Sequence, residues 1–287
     1  MTSPATSPAH DTAALPRTYL FVPGNRPDRF GKALASGADA VILDLEDAVA
    51  PQDKPAAREA IAAWCQTTPL EPGRIVIRIN DESTAWFEDD LELIHAAGVH
   101  AVMLPKAELA SQVARVASAL PEAGFVIPIV ESARGLLNVD AIAAAHGVQR
   151  LAFGTLDYAA DLDLSGDSRG LLYPACRMAL ASRAAGLASP IAGVTPDLGN
   201  EDTLLADLAL ARACGFGAKL CIHPNQVGTT HRALAPAPAE LDWARRVVAA
   251  AEKETGAFQI DGKMVDRPVI LKAMAILGRA RDDMPAH

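Results

Sequence analysis

The sequence predicts an α/β fold, a TIM-type (β/α)8 barrel followed by a C-terminal helical extension acting as a lid or arm. Three observations point there. Short runs rich in Val, Ile and Leu alternate with longer helix-periodic segments, the rhythm of a parallel sheet covered on both faces. The alternation repeats about eight times, the number at which such a sheet closes. No Gly-x-Gly-x-x-Gly follows the first apolar run, which removes the commonest reason to prefer a doubly wound open sheet.

In chain order, residues 1–16 are Ser-, Thr-, Pro- and Ala-rich and read as a loose tail. The barrel is expected over 17–235. Its strands are TYLFVP (18–23), AVILDLE (40–46), RIVIRIN (74–80), HAVMLPK (100–106), FVIPIVE (125–131), RLAFGTLD (150–157), a weak SPIAG (189–193) and AKLCIHP (218–224). Helix-periodic segments separate them, including one long helix from about Ser168 to Ala185 and another over 201–215. Beyond Pro224 the pattern changes: 239–255 is helical, FQIDGKMVDRP reads as a short polar turn, and 268–281 is helical again. Residues 236–287 are too long to be only a closing helix, so they read as a lid or as an arm reaching a neighbouring subunit.

Composition narrows the function. The chain has 287 residues, half of them hydrophobic, and a formal charge of −9. That charge argues against a nucleic-acid partner. Cys65, Cys176, Cys214 and Cys221 form no Cys-x-x-Cys pair and suit a reducing compartment. The N-terminal stretch lacks a basic start and an apolar core, and no run is long enough to span a bilayer, so a cytoplasmic protein without a membrane partner is expected.

In this fold, active sites sit at the C-terminal ends of the strands. Polar groups gather there: Asp44, Glu46 and Asp47; Arg78 and Asn80; Lys106; Glu131; Asp157; and His223. Glu131 and Asp157 close two successive strands, which brings them together across the mouth. A carboxylate pair facing one opening suits a hard divalent cation, above all Mg2+; each acid alone could instead cap the helix that follows. Arg78 interrupts an apolar strand and needs a partner. It can pair with Asp44 or Glu46, clamp a substrate oxygen, or do both. Three acids within Asp44–Asp47 repel one another unless a cation, an arginine or water is near. Glu46 and Asp47 either orient Arg78 and the metal's water or are simply solvated. Arg17, Arg26, Arg29, Lys32 and Lys106 could bind phosphates of a nucleotide-like ligand, although each taken singly suits a solvated surface charge. His223, before Pro224, could carry a proton, but a structural hydrogen bond is the role expected of it.

The same residues carry a resemblance. RTYLFVPGNRPDRF, VILDLEDAVAPQDKPAAR, VIRIN, VMLPKAE, PIVESARG, GTLD, KLCIHPNQV and DGKMVDRP together resemble the HpcH/HpaI aldolase/citrate lyase family, in the branch similar to the citrate lyase beta subunit. The resemblance runs from about residue 17 to 280. It implies a Mg2+-dependent lyase that makes or breaks a C–C bond next to a CoA or acyl-carrier thioester. It maps the metal ligands onto Glu131 and Asp157 and the substrate arginine onto Arg78. It places Asp266 in a lid over a neighbour's site, as the group that exchanges a proton at the thioester methyl carbon, and so implies a homo-oligomer, trimer or hexamer. Where related lyases carry acidic residues before the metal aspartate, this chain has Gly154, Thr155 and Leu156.

The resulting expectation has Arg78, Glu46 and Asp266 as catalytic residues. Arg78, Arg17, Lys32, Lys106 and Gly154 bind substrate, and Glu131 and Asp157 hold Mg2+. The substrate is a malyl-, citramalyl- or citryl-like 3-hydroxyacyl thioester. Two rival readings remain: a pyruvate-dependent class II aldolase, although the first strand lacks the expected His base, and a non-catalytic carrier-binding subunit.

Overall fold

The computed structural model describes residues 15–69, 71, 73–253 and 256–281. The predicted tail therefore lies outside the described residues, apart from Leu15 and Pro16. The chain forms two compact units, one of them Leu15–His231 and the other containing the residues from Arg232 onward. No helix among the described residues is long and apolar enough to cross a membrane.

The first unit is a closed barrel of eight parallel strands in sequence order. They are β1 (Thr18–Pro23), β2 (Ala40–Asp44), β3 (Ile75–Arg78), β4 (Ala101–Leu104), β5 (Phe125–Val130), β6 (Ala152–Phe153), β7 (Ile191–Ala192) and β8 (Ala218–Cys221). β8 pairs back onto β1, with Thr18 opposite Lys219. Alternate residues face inwards, as a pleated strand requires. Tyr19, Ala40, Ile42, Val76, Ala101, Met103, Ile127, Ile129, Ala152, Ile191, Ala218 and Leu220 fill the interior. The intervening residues, among them Leu20, Val41, Leu43, Ile77, Val102 and Val130, pack against the surrounding helices. Followed upward, the inward parity reaches Asp44, Arg78, Glu131 and Gly154 at the C-terminal mouth. The side-chain period of two thus aims these residues into the barrel once the apolar layers below are placed.

The helices are α1 (Phe30–Leu34), α2 (Lys54–Thr67), α3 (Phe87–Ala97), α4 (Ala110–Ala119), α5 (Ala133–Leu137), α6 (Val139–Ala143), α7 (Thr155–Asp161), α8 (Leu172–Ala184), α9 (Glu201–Ala213) and α10 (Asn225–Leu234). The long helix expected from Ser168 opens as a 3-10 turn, Ser168–Leu171, before α8. The expected sixth strand is shorter than its apolar pattern suggests. β6 ends at Phe153, so Asp157 lies in the first turn of α7 rather than on a strand.

The second unit contains α11 (Pro238–Ala251), β9 (Phe258–Ile260), β10 (Lys263–Val265) and α12 (Arg267–Arg281). The two helices enclose a small core of Ala244, Val247, Val265, Ala273 and Ile276. The segment expected as a polar turn is a β-hairpin. Asp261 and Gly262, at φ 52° and 75°, form its two-residue loop. Two consecutive left-handed residues make the turn that matches strand twist, and Asp-Gly is its sequence signature.

Candidate active site

The acidic segment after β2 is built around Asp44, which is 1% exposed. Its carboxylate accepts the amides of Glu46 at 2.9 Å and Ala48 at 3.0 Å, and this folds the loop back over the mouth. Arg78 stands opposite Asp44 in the β2–β3 register. It pairs with Asp44 through two parallel bonds, Nε to Oδ1 and Nη2 to Oδ2, both 2.7 Å. Its remaining nitrogen lies 2.8 Å from Glu46 and 3.5 Å from Asp47, and its plane covers the Phe21 ring at 4.7 Å. Burial alone would lower the Arg78 pKa, but Asp44, Glu46 and Asp47 more than reverse this and raise it. The guanidinium is therefore a fixed positive charge with its donors already on carboxylates.

Glu46 takes a second cation, Lys106 Nζ, at 2.7 Å. Burial pushes the Glu46 carboxyl above its usual range, against the pull of Arg78 and Lys106. The loop that carries it rests on Lys54, which sequence reasoning missed. Lys54 is 4% exposed. Its ammonium donates to the carbonyls of Leu45 at 2.8 Å and Glu46 at 3.0 Å and sits 4.8 Å above Trp86. The only sequence signal was a lysine that opens a helix ten residues after Asp44.

Glu131 follows β5 and is buried. Its Oε1 accepts the Lys106 amide at 2.7 Å. Its Oε2 faces Gly154, where an added Cβ would collide with the carboxylate. Gly154 is thus the clearance that lets Glu131 lie flat across β6. Gly154 stands beside Glu131 at the mouth. Burial, together with the charges of Glu46 and Asp157, drives the Glu131 carboxyl up to about 8. Asp157, exposed on α7, is therefore close enough to act on Glu131 electrostatically.

This pair fits a divalent cation. The two carboxylates lie within electrostatic range of one another and one of them is buried, so a positive charge beside them would offset the burial and repulsion that raise the Glu131 carboxyl. Among the described residues no group of three or more His, Cys, Asp or Glu gathers that could hold a metal, so the ion would rest on this pair of carboxylates.

The structure brings together Arg78, Glu46, Lys106, Glu131 and Gly154, with Asp157 beside them. Other expected residues are not in this group. Arg17 precedes β1, and its amide donates to Asp39 at 2.8 Å while its carbonyl accepts the Lys219 amide at 2.9 Å. Asp39 opens β2 and Lys219 lies early in β8, so Arg17 belongs to the N-terminal end of the barrel. The strand direction thus places the Arg17 backbone away from the C-terminal mouth, where a substrate contact was expected. Lys32 is exposed on α1. Asp266 precedes α12, in the second unit, and its carboxylate accepts the Val269 amide at 3.3 Å as a helix cap does. His223 makes the expected structural bond: its Nδ1 accepts the Asn225 amide at 3.2 Å.

Comparison with known proteins agrees with this architecture. The HpcH/HpaI aldolase/citrate lyase family model matches residues 17–224. A citrate lyase subunit beta-like protein of Mycobacterium tuberculosis is 41% identical over 269 residues, covering 91% of this chain and 94% of its own. A (3S)-malyl-CoA thioesterase of Cereibacter sphaeroides is 32% identical over 280 residues, covering 92% and 94%. The crystal structure of CitE from Mycobacterium tuberculosis, in complex with magnesium, acetoacetate and coenzyme A, is 40% identical with a TM-score of 0.82; it covers 94% of this chain and 99% of that one. A family match over most of the chain, on a closed barrel with its acids at the C-terminal mouth, shows that this protein belongs to the HpcH/HpaI aldolase/citrate lyase family and is a carbon–carbon lyase.

Proposed function

We propose that the protein is a Mg2+-dependent lyase that cleaves, or in reverse forms, a 3-hydroxyacyl thioester of the malyl-, citramalyl- or citryl-CoA kind, giving an acetyl thioester and a keto acid. The observation that carries this reading is the pairing of Glu131 with Asp157 beside the Arg78–Asp44–Glu46–Lys106 network. Relatives support it: CitE is described with magnesium, acetoacetate and coenzyme A, and another relative is named for malyl-CoA.

Glu131 and Asp157 would hold the cation, which supplies Lewis acidity toward substrate oxygens. Glu131 is pre-oriented by the Lys106 amide, so its free oxygen needs no reorganisation on binding. Arg78, fixed by Asp44, places a permanent positive charge where negative charge develops as the bond between the hydroxyl-bearing carbon and the thioester α-carbon breaks. Glu46 and Asp47 hold the loop side of that guanidinium. As the substrate hydroxyl becomes the carbonyl of the keto acid it releases a proton, and Asp266, from a neighbouring subunit of a trimer or hexamer, relays one to the α-carbon of the departing enolate. Water must be kept from the enolate, and that is the role we assign to the C-terminal extension as a lid or as an arm of a neighbouring subunit. Lys32 is the cation we assign to an anionic tail of the substrate. The protein acts in the cytoplasm.

Incubation with Mg2+ and each CoA thioester, followed by mass spectrometry, tests the proposal. Acetyl-CoA and a keto acid should form in equal amounts, and a chelator should stop their formation. Free CoA with an intact hydroxy acid would mean thioester hydrolysis and would overturn the lyase assignment. Turnover that survives the chelator would remove the metal.

A further inference from the structure

Three non-glycine residues among those described have a left-handed backbone: Asp163, Asp261 and Lys106. Aspartate tolerates that conformation in turns. Lysine does not favour it, and Lys106, at φ 47°, stands at the mouth of the barrel, one residue beyond Pro105. Backbone strain of this kind persists only where surrounding structure imposes it, and it concentrates at functional sites.

The surroundings show what imposes it. The Lys106 amide donates to Glu131 Oε1 at 2.7 Å, and the next amide, of Ala107, donates to the Ile129 carbonyl at 3.0 Å. The Ala107 carbonyl lies so close to Gly135 of α5 that a Cβ there would come within 2.6 Å of it. The turn is therefore wedged between the end of β5 and α5. From the same residue the side chain runs the other way, with Nζ 2.7 Å from Glu46 Oε1. The other oxygen of Glu46 lies 2.8 Å from Arg78. Glycine would fit the backbone without strain but would leave Glu46 with one cation fewer. A lysine in an ordinary conformation could not keep its amide on Glu131 and its ammonium on Glu46 together.

We propose that Lys106 is a positioning residue that holds two acids at once, Glu131 through its amide and Glu46 through its ammonium, and that its left-handed turn is what lets one residue do both. This assigns Lys106 a task different from binding a substrate phosphate, and it rests on reading Glu131 as a cation ligand.

The probe is Mn2+ alone, titrated by electron paramagnetic resonance, alongside melting temperatures and steady-state kinetics on the full chain. Lys106→Gly keeps both the amide and the turn, so its Mn2+ affinity should stay within about threefold of wild type. Lys106→Pro removes the amide and cannot adopt the turn, and should bind Mn2+ about 10–100-fold more weakly. Should Lys106→Pro fail to fold, the melting temperatures decide: Lys106→Gly should melt above Lys106→Ala, the reverse of the usual order. Ala melting at or above Gly would overturn the imposed turn. For the ammonium, Lys106→Met should lower kcat about 10-fold or more with KM nearly unchanged, and Lys106→Arg should restore most of the rate. A raised KM with kcat intact would make Lys106 a substrate ligand and overturn the proposal. Wild-type protein that bound no Mn2+ would defeat the metal site itself, whereas normal wild-type affinity matched by Lys106→Pro would defeat only the role of Lys106.

Discussion

Arg78 is the residue that the sequence marked most clearly, because a guanidinium inside an apolar strand cannot lose its charge and must find acids. The structure supplies them in Asp44, Glu46 and Asp47. Replacing Arg78 with Met removes the fixed charge while keeping the stem. We expect kcat to fall about 10²–10³-fold, as for loss of one stabilising donor to a developing oxyanion. Unfolding followed by circular dichroism separates this from loss of fold, since Asp44 is left buried without its arginine. Gly154 is the complementary case, a residue defined by what it lacks. Gly154→Ala should displace the Glu131 carboxylate and weaken Mn2+ binding at least about 10-fold in a calorimetric titration, with the barrel still folded. Lys54 was invisible at this scale, because a lysine in a helical segment reads as solvated and nothing local reveals that its ammonium reaches back to two carbonyls. Lys54→Met should strand those carbonyls and cost about 1–3 kcal/mol of stability, read as a lower melting temperature.

At the scale of elements, the strands were readable because burial on both faces leaves apolar runs that need no knowledge of partners. Their ends were less readable. The run through Phe153 to Asp157 keeps an apolar look, yet the chain turns into α7 after Gly154, and only the packing of Gly154 against Glu131 shows why. The Asp261–Gly262 loop carried a hairpin signature that the polarity of its flanks obscured. Gly262→Ala should destabilise the hairpin, by roughly 1–2 kcal/mol for a left-handed residue, and protease nicking near 258–265 should accelerate. At the N-terminal end of the barrel, Asp39 ties β1 to β2 and to α10. Its carboxylate accepts the amides of Arg17 and Thr18 and lies 3.0 Å from His231. Burial would raise the Asp39 pKa, but these hydrogen bonds and the His231 charge outweigh it and hold it at about 2, below the model-compound 3.8. A depressed carboxyl stabilises the fold fully above about 3.8 and loses that contribution as pH falls through about 2. Asp39→Asn should therefore melt lower than wild type at neutral pH, with the gap closing between pH 4 and pH 2.

The whole molecule decides whether the site is complete. Glu131 and Asp157 belong to the barrel unit, and Asp266 belongs to the other. If Asp266 serves a neighbour's barrel, Asp266→Asn should abolish turnover with Mn2+ affinity unchanged, and Glu131→Ala should abolish both. Mixing the two inactive proteins under conditions that exchange subunits should restore part of the activity, because some barrels then meet an intact aspartate. Mixtures that stay inactive despite subunit exchange would place Asp266 over its own barrel or outside the reaction.

The sequence by itself determined the eight strands, their direction and the polar residues at their C-terminal ends, because strand burial, side-chain alternation and chain polarity are local properties. Only the tertiary structure decided that Arg17 stands at the far end, that Lys54 supports the acidic loop and that Lys106 bends to reach Glu131 and Glu46 together. Those facts depend on barrel closure, which brings residues far apart in the chain within hydrogen-bonding distance, and no single segment contains that distance.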